Sequence, residues 1–278
     1  MVATPIGNLE DVSSRALDSL ARADAIAAED TRVTARLLAH HRLHGKLVAV
    51  HQHNERRAAD WIVEALAQGK NIALVTDAGT PAVSDPGATV VAKARAAGFR
   101  VVPIPGPNAA VTALSAAGIA DGPFLFAGFL PAKPGARRKA LEALSALPYT
   151  LVFYEAPHRV VECVEDMAVT LGTERILVVA RELTKLFEQI HRCRLGEAAA
   201  WLGADPDHRR GEFVLIAQGA AVRDKGVKPD WERVLATLLA ELPLAHAVKL
   251  ACTLTGAKRK TVYARALELA RETDTRHP

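Results

Sequence analysis

Residues able to do chemistry gather in short runs, each following an apolar segment. Glu29, Asp30 and Arg32 follow Ala25-Ile-Ala-Ala28, and Asp77, Gly79, Thr80, Val83, Ser84 and Asp85 follow Ile72-Ala-Leu-Val75. Tyr154, Glu155, His158 and Arg159 close a third segment, and Arg181, Glu182 and Lys185 a fourth. Pro5 and Ile6 lie in a Pro/Gly run at 4–8, His51 and Glu55 in a polar run at 51–55, and Asn108 and Ala109 end a Pro/Gly run that begins at residue 105. Carboxylates beside cations can accept protons or hold charged groups. Gly and Pro let the backbone approach a ligand at angles other residues avoid. Open α/β sheets bind ligands at the carboxyl ends of their strands, so seven polar runs in that position define a mouth. The densest run, 77–87, has a second reading: a rigid strand-to-helix turn with Ser84 or Asp85 capping the next helix.

The ligand class is bounded by what is missing. There is no GxGxxG and no GxxxxGK[ST], which argues against a dinucleotide fold or a phosphate loop, and no GxSxG nucleophile elbow. His51, His53 and His158 lie near the mouth, but His-x-His is an ordinary polar strand end, and no metal is expected. Backbone-rich loops of this kind suit a compact organic cofactor whose adenine or amino-acid part is read by N–H and C=O groups.

The elements that must position these runs alternate. Strands are predicted at 25–28, 47–50, 72–75 and 101–104, with helices at 13–23, 58–68, 88–97 and 109–117 and a further helix after 32. Such alternation signals an α/β fold with a largely parallel sheet and helices on its faces. A second lobe is predicted from strands at 124–129, 150–154, 175–180, 189–194 and 213–217. The alternating Gln189-Ile-His-Arg-Cys-Arg194 fits a half-exposed antiparallel strand. Residues 220–230 read as a linker, and three helical patterns follow at 231–239, 245–254 and 261–270. The expected domains are 1–119, 120–220 and 221–278. The first strand is short, and the recorded start is expected to trim residues from it.

The net charge of +4 is unevenly placed. Residues 1–222 hold 24 Lys/Arg and 24 Asp/Glu, leaving 11 and 7 for 223–278. A basic tail on a neutral body points to a polyanionic partner. Cys163, Cys193 and Cys252 are too few and too scattered for a disulfide framework, which fits a reducing cytoplasm. No apolar run approaches the ~20 residues of a membrane span.

Six runs, ATPIGNLED (3–11), AEDTR (28–32), TDAGTP (76–81), PGPNA (105–109), FYEAPHR (153–159) and ARELTK (180–185), occur in the order found in one family. The chain resembles the tetrapyrrole methylase (class III) family of S-adenosylmethionine-dependent methyltransferases, and within it the bacterial branch that methylates 16S ribosomal RNA. The resemblance covers nearly the whole chain. It implies two α/β lobes with S-adenosylmethionine between them, a helix-turn-helix-like extension, a homodimer, and methylation of the ribose 2′-hydroxyl of a cytidine in the decoding region. The Gly79-Thr-Pro81 segment takes the place of the family's glycine-aspartate-proline cofactor loop, with Thr80 where the tetrapyrrole enzymes carry aspartate. The alternatives are a C-methyltransferase acting on a tetrapyrrole of the precorrin type and a non-catalytic ribosome-binding module.

On that basis the cofactor-binding candidates are Pro5, Ile6, Asp77, Gly79, Thr80, Val83, Asn108, Ala109 and Tyr154. An alcohol is a weak nucleophile near neutral pH, so a proton acceptor is sought among Glu29, Asp30, Glu155, Glu182 and Lys185. Asp30 would otherwise cap the next helix or pair with Arg32. RNA contacts are expected from Arg32, Arg137, Arg138, His158, Arg159, Arg181, Lys258 and Arg259. Asp77 reads as a positioning residue and Asp85 as part of the turn into the next helix.

Overall fold

A computed structural model describes residues 1–51, 54–119, 122–221 and 230–274, with side chains to residue 269. His53 and most of the expected linker at 220–230 lie outside the described residues. Two compact units are present, Met1–Ala220 and Ala221–Pro278.

The first unit begins with α1 (Ser14–Ala21), β1 (Ala25–Ala28), α2 (Thr31–His40), β2 (Leu47–Ala49), α3 (Glu55–Ala67), β3 (Ile72–Val75), α4 (Ala88–Ala96) and α5 (Ala109–Ala116). β1 lies between β2 and β3 and is parallel to both. Ile26 and Ala28 face α1 and α2 through Leu20 and Leu38, while Ala27 and Leu74 face α3 through Ala59 and Ile62. Burial on both faces is why β1 is apolar throughout rather than alternating. Residues 101–104, predicted as a strand, form only an isolated bridge between Ile104 and Val2. Pro103 has no N–H to donate, and little strand stands opposite to pair with.

The chain continues with β4 (Phe124–Phe129), α6 (Pro134–Leu144), β5 (Thr150–Glu155), α7 (Val160–Leu171), β6 (Ile176–Arg181), β7 (Gln189–Arg194), α8 (Leu195–Ala204) and β8 (Phe213–Ala217). The sheet order is β4-β5-β8-β6-β7. β4 and β5 are parallel, but β8 inserts antiparallel between β5 and β6, and β7 returns antiparallel beside β6. This sheet is therefore mixed, not largely parallel. Phe153, Leu177, Val179 and Leu215 pack on Cys163 and Met167 of α7 and Leu202 of α8. On the opposite face, Val152, Val178 and Ile216 pack on Ala110 and Ala113 of α5 and on Ile6. The amino-terminal half thus supplies one cover of the second sheet, which makes the two sheets one unit.

In the second unit, α9 (Trp231–Glu241), α10 (Leu244–Thr255) and α11 (Arg259–Asp274) bury Leu235, Val248, Ala251, Val262 and Ala266. Gly256, at φ 68°, ends α10, and the chain turns into α11 within three residues. Lys258, Arg259 and Lys260 are exposed at the start of α11. No helix among the described residues is long and apolar enough to cross a membrane.

Candidate active site

The strand ends of the first unit surround a cavity of about 350 Å³. One wall is Gly79, Thr80, Val83, Ser84 and Asp85 after β3, with Asn108 and Ala109 at the start of α5. The other is Phe129, Tyr154 and Glu155 at the ends of β4 and β5, Leu183 after β6, Glu212 just before β8, and Phe213 and Val214 on it. Ile6 lies between them.

Local chemistry explains how the chain makes these walls. Thr4 and Gly79 exchange backbone hydrogen bonds of 2.9 and 3.0 Å, and the Thr4 hydroxyl donates to the Thr76 carbonyl at 3.1 Å. Gly79 sits at φ 83°, where a side chain is disfavoured. The Thr80 hydroxyl donates to the Pro107 carbonyl at 3.0 Å, joining the two loops and leaving Thr80 to meet a ligand through its backbone. Asn108 caps α5 by accepting from the Val111 N–H at 3.2 Å. Tyr154 accepts from the Ala110 N–H at 3.2 Å, which ties the two walls together. Gly7 lies so close to the loop after β6 that a Cβ there would stand 2.6 Å from Lys185 Cγ. The Asn8 N–H also donates to the Thr184 hydroxyl at 3.1 Å.

Ile6, Gly79, Thr80, Val83, Asn108, Ala109 and Tyr154 of the expected cofactor set line this cavity. Pro5 is buried behind it. Asp77 is at the surface, where its Oδ1 accepts from the Asp30 N–H at 2.8 Å. The cavity offers an apolar body with backbone groups at one wall and carboxylates at its edge. Its size and lining fit a compact organic molecule with a flat or aliphatic part and a few polar ends.

The carboxylates divide by their partners. Asp30 caps α2, accepting from the Arg32 N–H at 2.8 Å, and pairs with the Arg32 guanidinium at 2.6 Å; these bonds hold its pKa down to about 2. That is the capping alternative, and a base of that pKa is weak. Glu29 accepts from the Asp77 N–H at 3.4 Å, and burial pushes its carboxyl above the usual range. Glu155 is buried, its Oε1 holding the Ala156 N–H at 2.8 Å and both Arg159 Nε and Nη2 at 2.9 and 2.5 Å. Glu182 meets Lys185 at 2.8 Å and the Glu212 N–H at 3.0 Å. Burial disfavours its charge, but these donors outweigh burial and lower its pKa.

Four expectations are corrected on physical grounds. Burial alone would favour a neutral Lys185, yet Glu182 and Glu212, each 2.8 Å from its Nζ, raise its pKa, so it stays protonated and is no base. Arg137 is 1% exposed and bound to Asp166 at 2.6 Å, so it cannot reach a phosphate. Arg181 is 5% exposed, donating to Gln189 Oε1 at 2.7 Å and the Arg210 carbonyl at 3.2 Å, and braces its hairpin instead. Arg159 is spent on Glu155. Arg138, although it pairs with Asp166 at 2.6 Å, is half exposed, Arg32 is exposed beside Asp30, and His158 is exposed on the turn after β5.

Asp85, set aside as a turn residue, and Ser84, weighed as a cap, line the cavity, as do Phe129, Leu183 and Glu212, which were not singled out. The helix it was expected to cap begins after Gly87, and Glu55 of α3 caps it by accepting from the Gly87 and Thr89 N–H groups at 2.8 and 3.0 Å. Strain near Asp85 is real: Ala82 and Ser84 stand at φ 68° and 64°, unusual for residues with side chains.

The model of the tetrapyrrole (corrin/porphyrin) methylases matches residues 1–199, and that of the RsmI C-terminal HTH domain matches residues 226–270. Ribosomal RNA small subunit methyltransferase I of Escherichia coli O157:H7 is 50% identical over 268 residues, covering 96% of this chain and 94% of that protein. The protein of the same name from Xylella fastidiosa (strain Temecula1 / ATCC 700964) is 50% identical over 263 residues, covering 95% and 96%. Among solved structures, the methyltransferase CobJ aligns with a TM-score of 0.59 at 21% identity, covering 78% of this chain and 92% of that one. The uroporphyrin-III C-methyl transferase of Thermus thermophilus, complexed with S-adenyl homocysteine, aligns at 0.55 and 20% identity, covering 80% and 97%. At those identities the two structures speak for the fold alone.

Proposed function

The chain belongs to the tetrapyrrole methylase family, and on that premise we propose that it transfers the methyl group of S-adenosylmethionine to small-subunit ribosomal RNA, at the ribose 2′-hydroxyl of a cytidine in the decoding region of 16S rRNA. The observation that carries the reading is the cavity at the strand ends, taken with relatives of 50% identity over nearly the full chain that bear the name ribosomal RNA small subunit methyltransferase I. Ile6, Gly79, Thr80, Val83, Asn108, Ala109 and Tyr154 would hold the cofactor, whose sulfonium supplies an activated methyl group. What the protein must add is alignment of the hydroxyl with that methyl and exclusion of water; alignment alone is worth roughly 7–11 kcal/mol in favourable systems. Ile6, Val83, Phe129 and Phe213 supply apolar walls for both tasks.

The RNA would meet exposed cations around the mouth and on the second unit, with Arg32, Arg138 and His158 as contacts on the first and Lys258 and Arg259 on the other. A homodimer in the cytoplasm completes the reading. The test is incubation with labelled S-adenosylmethionine and small ribosomal subunits lacking the modification. Label in 16S rRNA on a 2′-oxygen is the expected result, and transfer to a tetrapyrrole but not to rRNA would overturn it.

A further inference from the structure

Three carboxylates line the cavity: Asp85, Glu155 and Glu212. Two are already committed. Glu155 is clamped by Arg159, and Glu212, largely exposed, holds Lys185. The other acidic side chains near the mouth are committed too: Asp30 to Arg32, Asp77 to the Asp30 N–H, Glu29 to the Asp77 N–H, and Glu182 to Lys185. Of the three carboxylates on the cavity wall, Asp85 alone makes no ion pair among the described residues, and the cap it was expected to provide for α4 comes from Glu55. The strained turn at Ala82 and Ser84 holds it on the cavity wall. Gly128, at the β4 irregularity, leaves room for Ser84: a Cβ there would stand 2.9 Å from the Ser84 hydroxyl.

We propose that Asp85 is the catalytic base, accepting the proton of the attacking hydroxyl during methyl transfer. The assignment rests on the reaction proposed above. The hydroxyl oxygen gains a bond to the methyl carbon, the carbon–sulfur bond breaks with its electron pair kept by sulfur, and the hydroxyl proton passes to the Asp85 carboxylate. The charges balance: a cationic donor and a carboxylate become a neutral thioether and a carboxylic acid.

The groups facing Asp85 suit the task. Glu29 at the end of β1 and Asp77 after β3 repel its charge, and Tyr154 of β5 faces it across the cavity. The nearby buried Thr76 hydroxyl makes no hydrogen bond among the described residues and acts the other way, favouring the charged carboxylate. Burial, then Glu29 and Asp77, raise the Asp85 carboxyl to about 6. A base is most effective when its pKa lies near the working pH.

The test compares wild type with Asp85→Asn in single turnovers on unmodified small subunits from pH 5 to 8. The wild-type rate should rise about tenfold per pH unit below 6 and then level off. Asp85→Asn should be slower by about 10²-fold or more, the range in which general bases contribute. It should bind S-adenosylhomocysteine as wild type does by calorimetry. Formate should restore part of the rate to Asp85→Ser. A readout independent of turnover is melting temperature against pH. Because the carboxyl titrates higher in the folded chain than its ordinary 3.8, its ionisation costs stability as pH rises from about 4 through 6. Asp85→Asn should therefore gain on wild type over that window. If Asp85→Asn does not fold, the wild-type inflection and the formate rescue of Asp85→Ser decide the matter. A wild-type rate in Asp85→Asn, or loss of cofactor binding equal to the loss of rate, overturns the assignment while the proposed function stands. A wild type that binds the cofactor but modifies no rRNA defeats both.

Discussion

Lys185 joins two carboxylates with one ammonium, and its neighbours settle what it can do. Removing it leaves Glu182, which is 18% exposed, without an ion pair, the nearby charge of Arg181 remaining. Lys185→Met should lower stability by about 1 kcal/mol in urea titration, in keeping with a partly buried network, without moving the inflection of the rate–pH profile. Arg137 makes a sharper case. Its guanidinium and Asp166 are both nearly sealed from water, 1% and 5% exposed, and Asp166 also holds Arg138. Breaking a buried pair from one side costs roughly 3–5 kcal/mol. Arg137→Met should fall near the lower end of that range, since Arg138 remains, and the folded variant should bind RNA as wild type does. None of this was legible in the sequence, where Arg137 and Arg138 alike read as RNA contacts. The partner that withdraws Arg137 is 29 positions away on α7.

At the scale of elements, helices and strands were largely legible, because buried strands such as β1 and β3 are continuous apolar runs and the helices stop at Gly69, Gly98 and Gly172 in positive-φ conformations. Pairing between distant strands was not. β8 comes last in the chain of its sheet yet lies between β5 and β6, and no local pattern states which edge a strand will join. The same distance hid the cap of α4: Ser84-Asp85 has the right residue types, but Glu55 takes the role from 32 positions upstream. Glu55→Ala should cost about 1 kcal/mol, as lost caps do, measured by thermal or urea unfolding. It should also loosen the 80–87 loop, seen as faster hydrogen exchange there. Gly79 begins the same wall. At φ 83° an alanine costs about 1–2 kcal/mol, so Gly79→Ala should weaken S-adenosylhomocysteine binding as well as lower stability.

For the whole molecule, the uneven charge of the sequence takes a physical form in the second unit, where Lys258, Arg259 and Lys260 stand exposed at the start of α11. If Arg259 binds a phosphate, Arg259→Ala should lower the salt slope of rRNA binding by about one unit and weaken binding alike across sequences. Five of the seven polar runs contribute to one cavity, and most of the expected cofactor residues line it; which of its carboxylates makes no ion pair required their partners in three dimensions. The central claim is methyl transfer to a ribose oxygen of small-subunit rRNA. It is tested most directly by treating unmodified small subunits with the protein and labelled S-adenosylmethionine, then hydrolysing the 16S rRNA in alkali. A methylated 2′-oxygen cannot assist cleavage of its own phosphodiester, so the account predicts label confined to one alkali-resistant dinucleotide containing cytidine. Label released in mononucleotides, or no label in 16S rRNA, would contradict it.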